Sequence, residues 1–334
     1  MLKEWIARGL IITGLVLVAA FPVLTHMHAA QAERIQVQAR MAEDGGWTPG
    51  NLTAVVGEPL KLRLTSEDVT HGFAIGKLDQ PSVDVRPGEM TDISVVFTHP
   101  GTYTFYCTRW CGVNHWRMRG TIEVTGPKPY AVTPQPPLYV TLGMNIDAIH
   151  QASEAPSQLP SSARGARLNQ KISTAYMSRD YYLSHTPEEL WQALRADRAY
   201  VDLSDQEVWD LVAWAWQSNT DPKLVQAGKE LFVANCAACH GQSGAGDGVY
   251  ANQLASGTNS NNSSQPMGEH TQRPINFTDP LNMLSASPAH LQGKILRGGM
   301  GTGMPSWGAI FTQDQTWELV AYLWSFQFQM EVNP

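Results

Sequence analysis

The hydrophobic positions of this chain change their period once. Between Arg34 and Thr125 they alternate with polar residues in short runs: IQVQA (35–39), KLRLT (61–65), HGFAI (71–75), DISVVFT (92–98), GTYTFYC (101–107) and GTIEVTG (120–126). A period of two sends one face of each run toward a core and the other toward water, so each reads as a strand. Turn formers separate them, as in PGN, VGEP, RPGE and HPG. Several short strands at this spacing predict an all-β sandwich or small barrel over 33–126. Five prolines then fall within residues 126–140, which predicts an extended linker over 127–140.

Beyond the linker the period becomes helical and the region reads as all-α. TPEELWQALRADR (186–198) opens with Thr, Pro and two acidic residues, a pattern suited to a helix N-terminus. LSDQEVWDLVAWAW (203–216) is followed much later by FTQDQTWELVAYLW (311–324), which aligns with it without gaps: Trp209 matches Trp317, and Trp216 matches Trp324. SPAHLQGKILR (287–297) likewise echoes the stretch that begins at Thr186. An internal repeat is the simplest account, with a connector of merely similar composition as the alternative. The copies differ between their paired helices, where the second carries GGMGTGMPSWGAI and the first only ADRAYVD.

At the other end, Gly9 to Ala32 contains no Asp, Glu, Lys or Arg. That is long enough to cross a hydrocarbon core of roughly 30 Å, so residues 1–32 are expected to form a single-pass membrane anchor. Lys3 and Arg8 followed by AQA ending at Ala32 also fit a cleaved signal peptide. Either reading puts the remaining domains on the periplasmic or extracytoplasmic side, where free thiols tend to pair.

Composition narrows the function classes. The length of 334 residues accommodates two or three domains, and a net charge of −7 with only 23 Lys and Arg argues for no nucleic-acid partner. A cationic soluble protein is a better match. The chemistry lies in four cysteines, all of them in two motifs.

CAACH (236–240) places two thiols three residues apart with an imidazole beside them. The thiols reach the two vinyl groups of a haem and His240 its iron, the pattern of covalent c-type attachment. Met304 in GTGMPSW is the expected sixth ligand, since glycines before it and a proline after it suit a loop presenting one sulfur. Met300 is the main rival, with Met267, His270 and His290 behind. Arg273 and Trp307 are candidates for hydrogen bonds to haem propionates or for ordinary surface and packing roles. Over 222–330 the residues resemble the cytochrome c family, which implies one haem c, a small helical fold and one-electron chemistry for 221–334. On that resemblance 141–220 reads as a degenerate, haem-free relative.

CTRWCGVNHWRM (107–118) brings together two cysteines, a histidine and a methionine. A zinc site would use Cys107, Cys111, His115 and a distant His71, leaving Met118 idle. A mononuclear blue-copper site strands one cysteine, and a Cys107–Cys111 disulfide ignores the rest. Two thiolates bridging two copper ions employ every donor. VTHGF (69–73), RPGE (86–89) and GTYTFYCTRWCGVNHWRMRGTIEV (101–124) resemble the CuA domain of subunit II of haem-copper oxidases, a cupredoxin sandwich. The resemblance implies a binuclear copper centre with Cys107 and Cys111 bridging, His71 and His115 terminal, and Met118 with the backbone carbonyl of Arg109 as weak axial ligands.

Departures accompany it. Arg109 stands where the typical oxidase subunit has a Glu that helps bind magnesium, and a single membrane segment is expected where two are common. These features look more like ba-type oxidases or CuA-containing nitric oxide reductases. Trp110 and Trp116 are candidates for a patch where electrons arrive, or for simple shielding of the metal. The resemblance implies a cytochrome c oxidase-type subunit with no catalytic residues of its own, which takes electrons from a soluble cytochrome c or cupredoxin donor and delivers them to catalytic subunit I for reduction of dioxygen. Nitric oxide as acceptor, a free-standing membrane-anchored shuttle and copper delivery are the alternatives.

Overall fold

The alternating runs form the expected β structure. The computed structural model describes residues 34–78, 80–112, 114–127, 135–252, 273–299 and 303–330. The membrane segment or signal peptide expected over 1–32 lies outside them, as do Met267, His270 and Met300. Among the described residues no helix is long and apolar enough to cross a membrane. The chain divides near residue 131 into two compact units.

The described residues of the first unit form a sandwich of nine strands: β1 (Ile35–Ala39), β2 (Trp47–Thr48), β3 (Asn51–Val55), β4 (Pro59–Ser66), β5 (His71–Ile75), β6 (Val83–Val85), β7 (Thr91–Val96), β8 (Gly101–Tyr106) and β9 (Arg119–Thr125). One sheet has the order β2-β1-β4-β7 and the other β3-β9-β8-β5-β6. Alternation does what the pattern requires: in β4, Leu60, Leu62, Leu64 and Ser66 are buried while the residues between them are not. Phe73, Phe97 and Phe105 fill the space between the sheets, each at most 2% exposed, and each such ring stabilises the fold by about 1.5–3 kcal/mol. Trp47 stands edge-on to Phe73, with ring centroids 5.3 Å apart, and closes the core beside β5.

The second unit is helical: α1 (Leu138–Thr141), α2 (Ser162–Arg167), α3 (Arg179–Ser184), α4 (Pro187–Ala196), α5 (Asp205–Gln217), α6 (Pro222–Asn235), α7 (Ala237–His240), α8 (Pro280–Met283), α9 (Pro288–Arg297) and α10 (Gln313–Leu323). Their starts follow the capping chemistry in the sequence. Thr186 and Glu189 form a reciprocal capping box at α4, and Ser204 with Glu207 does the same at α5. The expected extended linker ends early, because Leu138–Thr141 is already a helical turn that starts on Pro137.

Candidate metal and haem sites

Two separated pieces of the sandwich converge at one end of β5. His71 opens that strand, Cys107 follows β8, and Cys111, His115 and Met118 lie on the connection to β9. The approach of the two segments needs Gly72, where an added Cβ would fall 2.0 Å from Thr108 Oγ1. The Gly72 amide donates to Cys107 Sγ at 3.5 Å, and Thr108 N–H donates to the Gly72 carbonyl at 3.2 Å.

The donor atoms form a compact set. Cys107 Sγ and Cys111 Sγ are 3.9 Å apart. His71 Nδ1 lies 3.8 Å from Cys107 Sγ, and His115 Nδ1 lies 3.5 Å from Cys111 Sγ. The Arg109 carbonyl is 3.2 Å from Cys107 Sγ, and Met118 Sδ is 3.2 Å from Cys111 Sγ. Each thiol therefore has one imidazole and one weak donor beside it. The cysteines are free, not joined in a disulfide. His71 is fully buried, Cys107 is 4% exposed and Met118 1%, so the chain wraps these groups away from water.

Electrostatics prepares the thiols for a cation. The Cys111 thiol donating toward Cys107, with both imidazoles alongside, outweighs burial and holds the Cys107 thiol down at about 3. Cys111, next to that thiolate and partly buried, is pushed upward. Soft thiolates, imidazoles and a thioether in dry surroundings suit copper.

Asp68 holds His71 from behind. Its Oδ1 lies 2.7 Å from His71 Nε2, and its Oδ2 accepts from the Met41 amide at 2.6 Å. Burial disfavours charge on His71, but its contacts with Cys107 and Asp68 prevail and raise its pKa. Nε2–H is thereby committed to the carboxylate and Nδ1 is left for the metal. Trp47 secures the opposite wall, its indole N–H donating to the Met118 carbonyl at 3.2 Å. Neither Asp68 nor Trp47 was expected from sequence. Trp110 packs on His115 with ring centroids 4.5 Å apart, and Trp116 is half-buried. The Arg109 side chain points elsewhere, to Asp84 on β6 at 2.9 and 3.2 Å.

The haem motif sits where α6 ends. Cys236 closes α6, and Cys239 and His240 complete the single turn α7. Burial pushes the two thiols up to about 12 and 11, so they remain protonated. Burial also pushes His240 down to about 4, against a hydrogen bond from its Nδ1 to the Ile275 carbonyl at 3.3 Å. With Nδ1–H donating, Nε2 carries the free lone pair, which is the arrangement an axial haem ligand needs. The ring stacks on Phe277 with centroids 4.6 Å apart.

Met304 is half-buried on a loop that folds back over the end of α9: its carbonyl accepts from the Gly299 amide at 3.1 Å, and Trp307 N–H donates to the Ile295 carbonyl at 3.1 Å. Trp307 is buried and stacked on Phe311 at 5.0 Å, so packing accounts for its ring, while Arg273 is exposed. His290 lies buried on α9, its ring 4.4 Å from that of His150.

Residues 49–125 match the family of the cytochrome c oxidase subunit II periplasmic domain, and residues 225–327 match the cytochrome c family. The chain joins a subunit II periplasmic domain to a cytochrome c domain. A cytochrome c oxidase subunit 2 of Thermus thermophilus is 35% identical over 79 residues, 24% of this chain and 58% of that protein. An alternative cytochrome c oxidase subunit 2 of Bradyrhizobium diazoefficiens is 31% identical over 81 residues, 24% of this chain and 29% of that protein. A nitrous-oxide reductase of Ralstonia nicotianae is 38% identical over 72 residues, 20% of this chain and 11% of that protein. The chain thus spans little more than half the length of the first relative and less of the others. The subunit II domain implies copper and the cytochrome c domain implies haem, and the donor sets described above fit both groups.

Proposed function

We propose that this protein is the electron-accepting subunit II of a membrane haem-copper reductase, in which a soluble cytochrome c or cupredoxin supplies electrons and a catalytic subunit I reduces dioxygen. The observation that carries the reading is the paired arrangement at Cys107 and Cys111, each thiol with its own imidazole and weak donor. In it Cys107 and Cys111 bridge two copper ions, His71 and His115 are terminal ligands, and Met118 and the Arg109 carbonyl are axial. Cys236 and Cys239 attach one haem c, ligated by His240 and Met304. Bound copper and haem supply reversible one-electron chemistry at ambient pH. The protein's part is to fix the ligands, exclude water and limit rearrangement between oxidation states. Asp68 orients His71, Trp47 pins the Met118 backbone, and the Ile275 carbonyl orients His240. Residues 1–32 serve as a single-pass anchor that keeps both domains on the periplasmic side.

Extraction from native membranes with detergent, followed by capture of this chain, tests the assignment. The expected result is co-purification with a many-helix haem-copper partner and faster turnover on dioxygen than on nitric oxide. Recovery of the fully metallated chain alone would instead make it a shuttle, and faster nitric oxide turnover would change the acceptor.

A further inference from the structure

Neither family match reaches residues 138–220. Beside the cytochrome c domain, this segment repeats the same helices in the same order with equivalent caps. α3 begins on Ser178, and α4 begins on Thr186 followed by Pro187; α8 begins on Asp279, and α9 on Ser287 followed by Pro288. The Ser204–Glu207 capping box of α5 answers to the Thr312–Gln315 box of α10.

The helix crossings also correspond. A Cβ at Gly165 of α2 would lie 2.1 Å from the Asp210 carbonyl oxygen on α5, and a Cβ at Gly228 of α6 would lie 1.9 Å from the Glu318 carbonyl oxygen on α10. Asp210 and Glu318 are aligned positions, each preceded by Trp and followed by Leu-Val-Ala. Similarity of composition alone does not place glycine against the same carbonyl twice.

Apart from the shorter α2, six residues against fourteen in α6, the main differences lie in two connections. Residues 168–178 join α2 to α3, where 236–279, with CAACH, join α6 to α8. Residues 197–204 join α4 to α5, where 298–312, with Met304, join α9 to α10. The helices are kept and the pieces that would hold haem are gone.

The two copies meet at corresponding residues. Trp216 and Trp324 are both fully buried and touch at 76° with ring centroids 6.0 Å apart. A two-fold interface brings residues on its axis against their own counterparts, and this contact fits such pairing. Phe328 stacks on Trp324 at 5.9 Å, and beyond it Gln329 N–H donates to the Pro160 carbonyl at 2.8 Å and its carbonyl accepts from Ser162 N–H at 3.2 Å. Between these anchors Phe326 stacks on Phe277, the ring that lies against His240.

We infer that residues 160–217 are a second cytochrome c helix framework without haem, which acts as the built-in partner of the haem domain: it pairs through Trp216 and Trp324 and clamps residues 324–329 behind the haem ligand His240. This inference is independent of the copper reading, whose signal serves as a control.

The test uses the full-length, haem-loaded chain with Trp216→Leu, Trp324→Leu and both together. Amide exchange in α10 and thermal loss of the haem's methionine-sulfur charge-transfer band are the readouts. Trp216→Leu, whose ring packs on Tyr182, Trp324 and Phe328, is expected to speed exchange in α10 at least tenfold and to lower the haem transition about as much as Trp324→Leu. The double variant is expected to fall short of the product of the single effects, with copper spectra unchanged. Faster exchange confined to α5 with α10 and the haem band unmoved, or strictly multiplicative effects, would overturn the proposal. Should either leucine variant fail to fold, Trp216→Phe and Trp324→Phe give the same comparison at smaller amplitude, and amide exchange reads it whichever residue is the sixth ligand.

Discussion

At the level of single residues, metal ligation restricts residue type as well as position. Two cysteines, a histidine and a methionine in twelve residues have few other uses, and the structure brings them within contact of a histidine from a different strand. Asp68 was not legible: it sits three residues before His71 in a turn, where no periodicity predicts that the two side chains meet. Because Asp68 fixes which His71 nitrogen is free, Asp68→Asn should keep copper binding but weaken it about 10–100-fold, as outer partners of metal ligands do. A competition titration with a copper chelator reads this, and unchanged affinity would relegate Asp68 to turn formation. Cys107→Ser should remove the mixed-valence copper spectrum and spare the haem; retained mixed valence would end the bridging role. Met304→Leu should abolish the methionine-sulfur charge-transfer band, and an unchanged band would transfer the assignment to Met300.

Strands and helices were legible to different degrees. Six strands declared themselves by alternation, whereas β2, β3 and β6 did not. β2 has two residues and β6 three, too few for a period to show, and β3 is a sheet edge paired only to β9, with a single fully buried residue, Leu52. Helix starts were clearer, since Ser, Thr and Asp caps satisfy amide groups that would otherwise lack partners. Crossing points were hidden, because a glycine inside a helical pattern does not say what presses on it. Gly228→Ala forces a methyl against the Glu318 carbonyl and should cost about 1–3 kcal/mol. Gly165→Ala should cost a similar amount at Asp210, and chemical denaturation of the two variants makes the comparison. A neutral Gly165→Ala would show that the two crossings are not equivalent.

Across the whole molecule, acid sensitivity follows from a buried histidine pair. Burial first, then the neighbouring His150 and Lys294, push His290 down to about 4, against the pull of Asp147; Arg297 also faces it. Burial lowers His150 as well. The unfolded chain takes up a proton on His290 near its ordinary value of 6.5 and the folded chain only near 4. Stability from this site is therefore complete above the ordinary value and drains away as pH falls toward the lower one, by a few kcal/mol at most (about 1.4 kcal/mol per pH unit). His290→Gln should flatten that acid limb in denaturation midpoints measured across this window, and an unaltered slope would remove His290 as its source.

The reading as an electron relay rests on two coppers held by two shared thiolates in a chain that also carries one haem. Electron paramagnetic resonance of the oxidised full-length protein, with copper and haem quantified in the same sample, tests this most directly. The account predicts two coppers per haem and a copper hyperfine pattern from one unpaired electron shared equally between two nuclei. One copper per haem, with the splitting of a single nucleus, would contradict it.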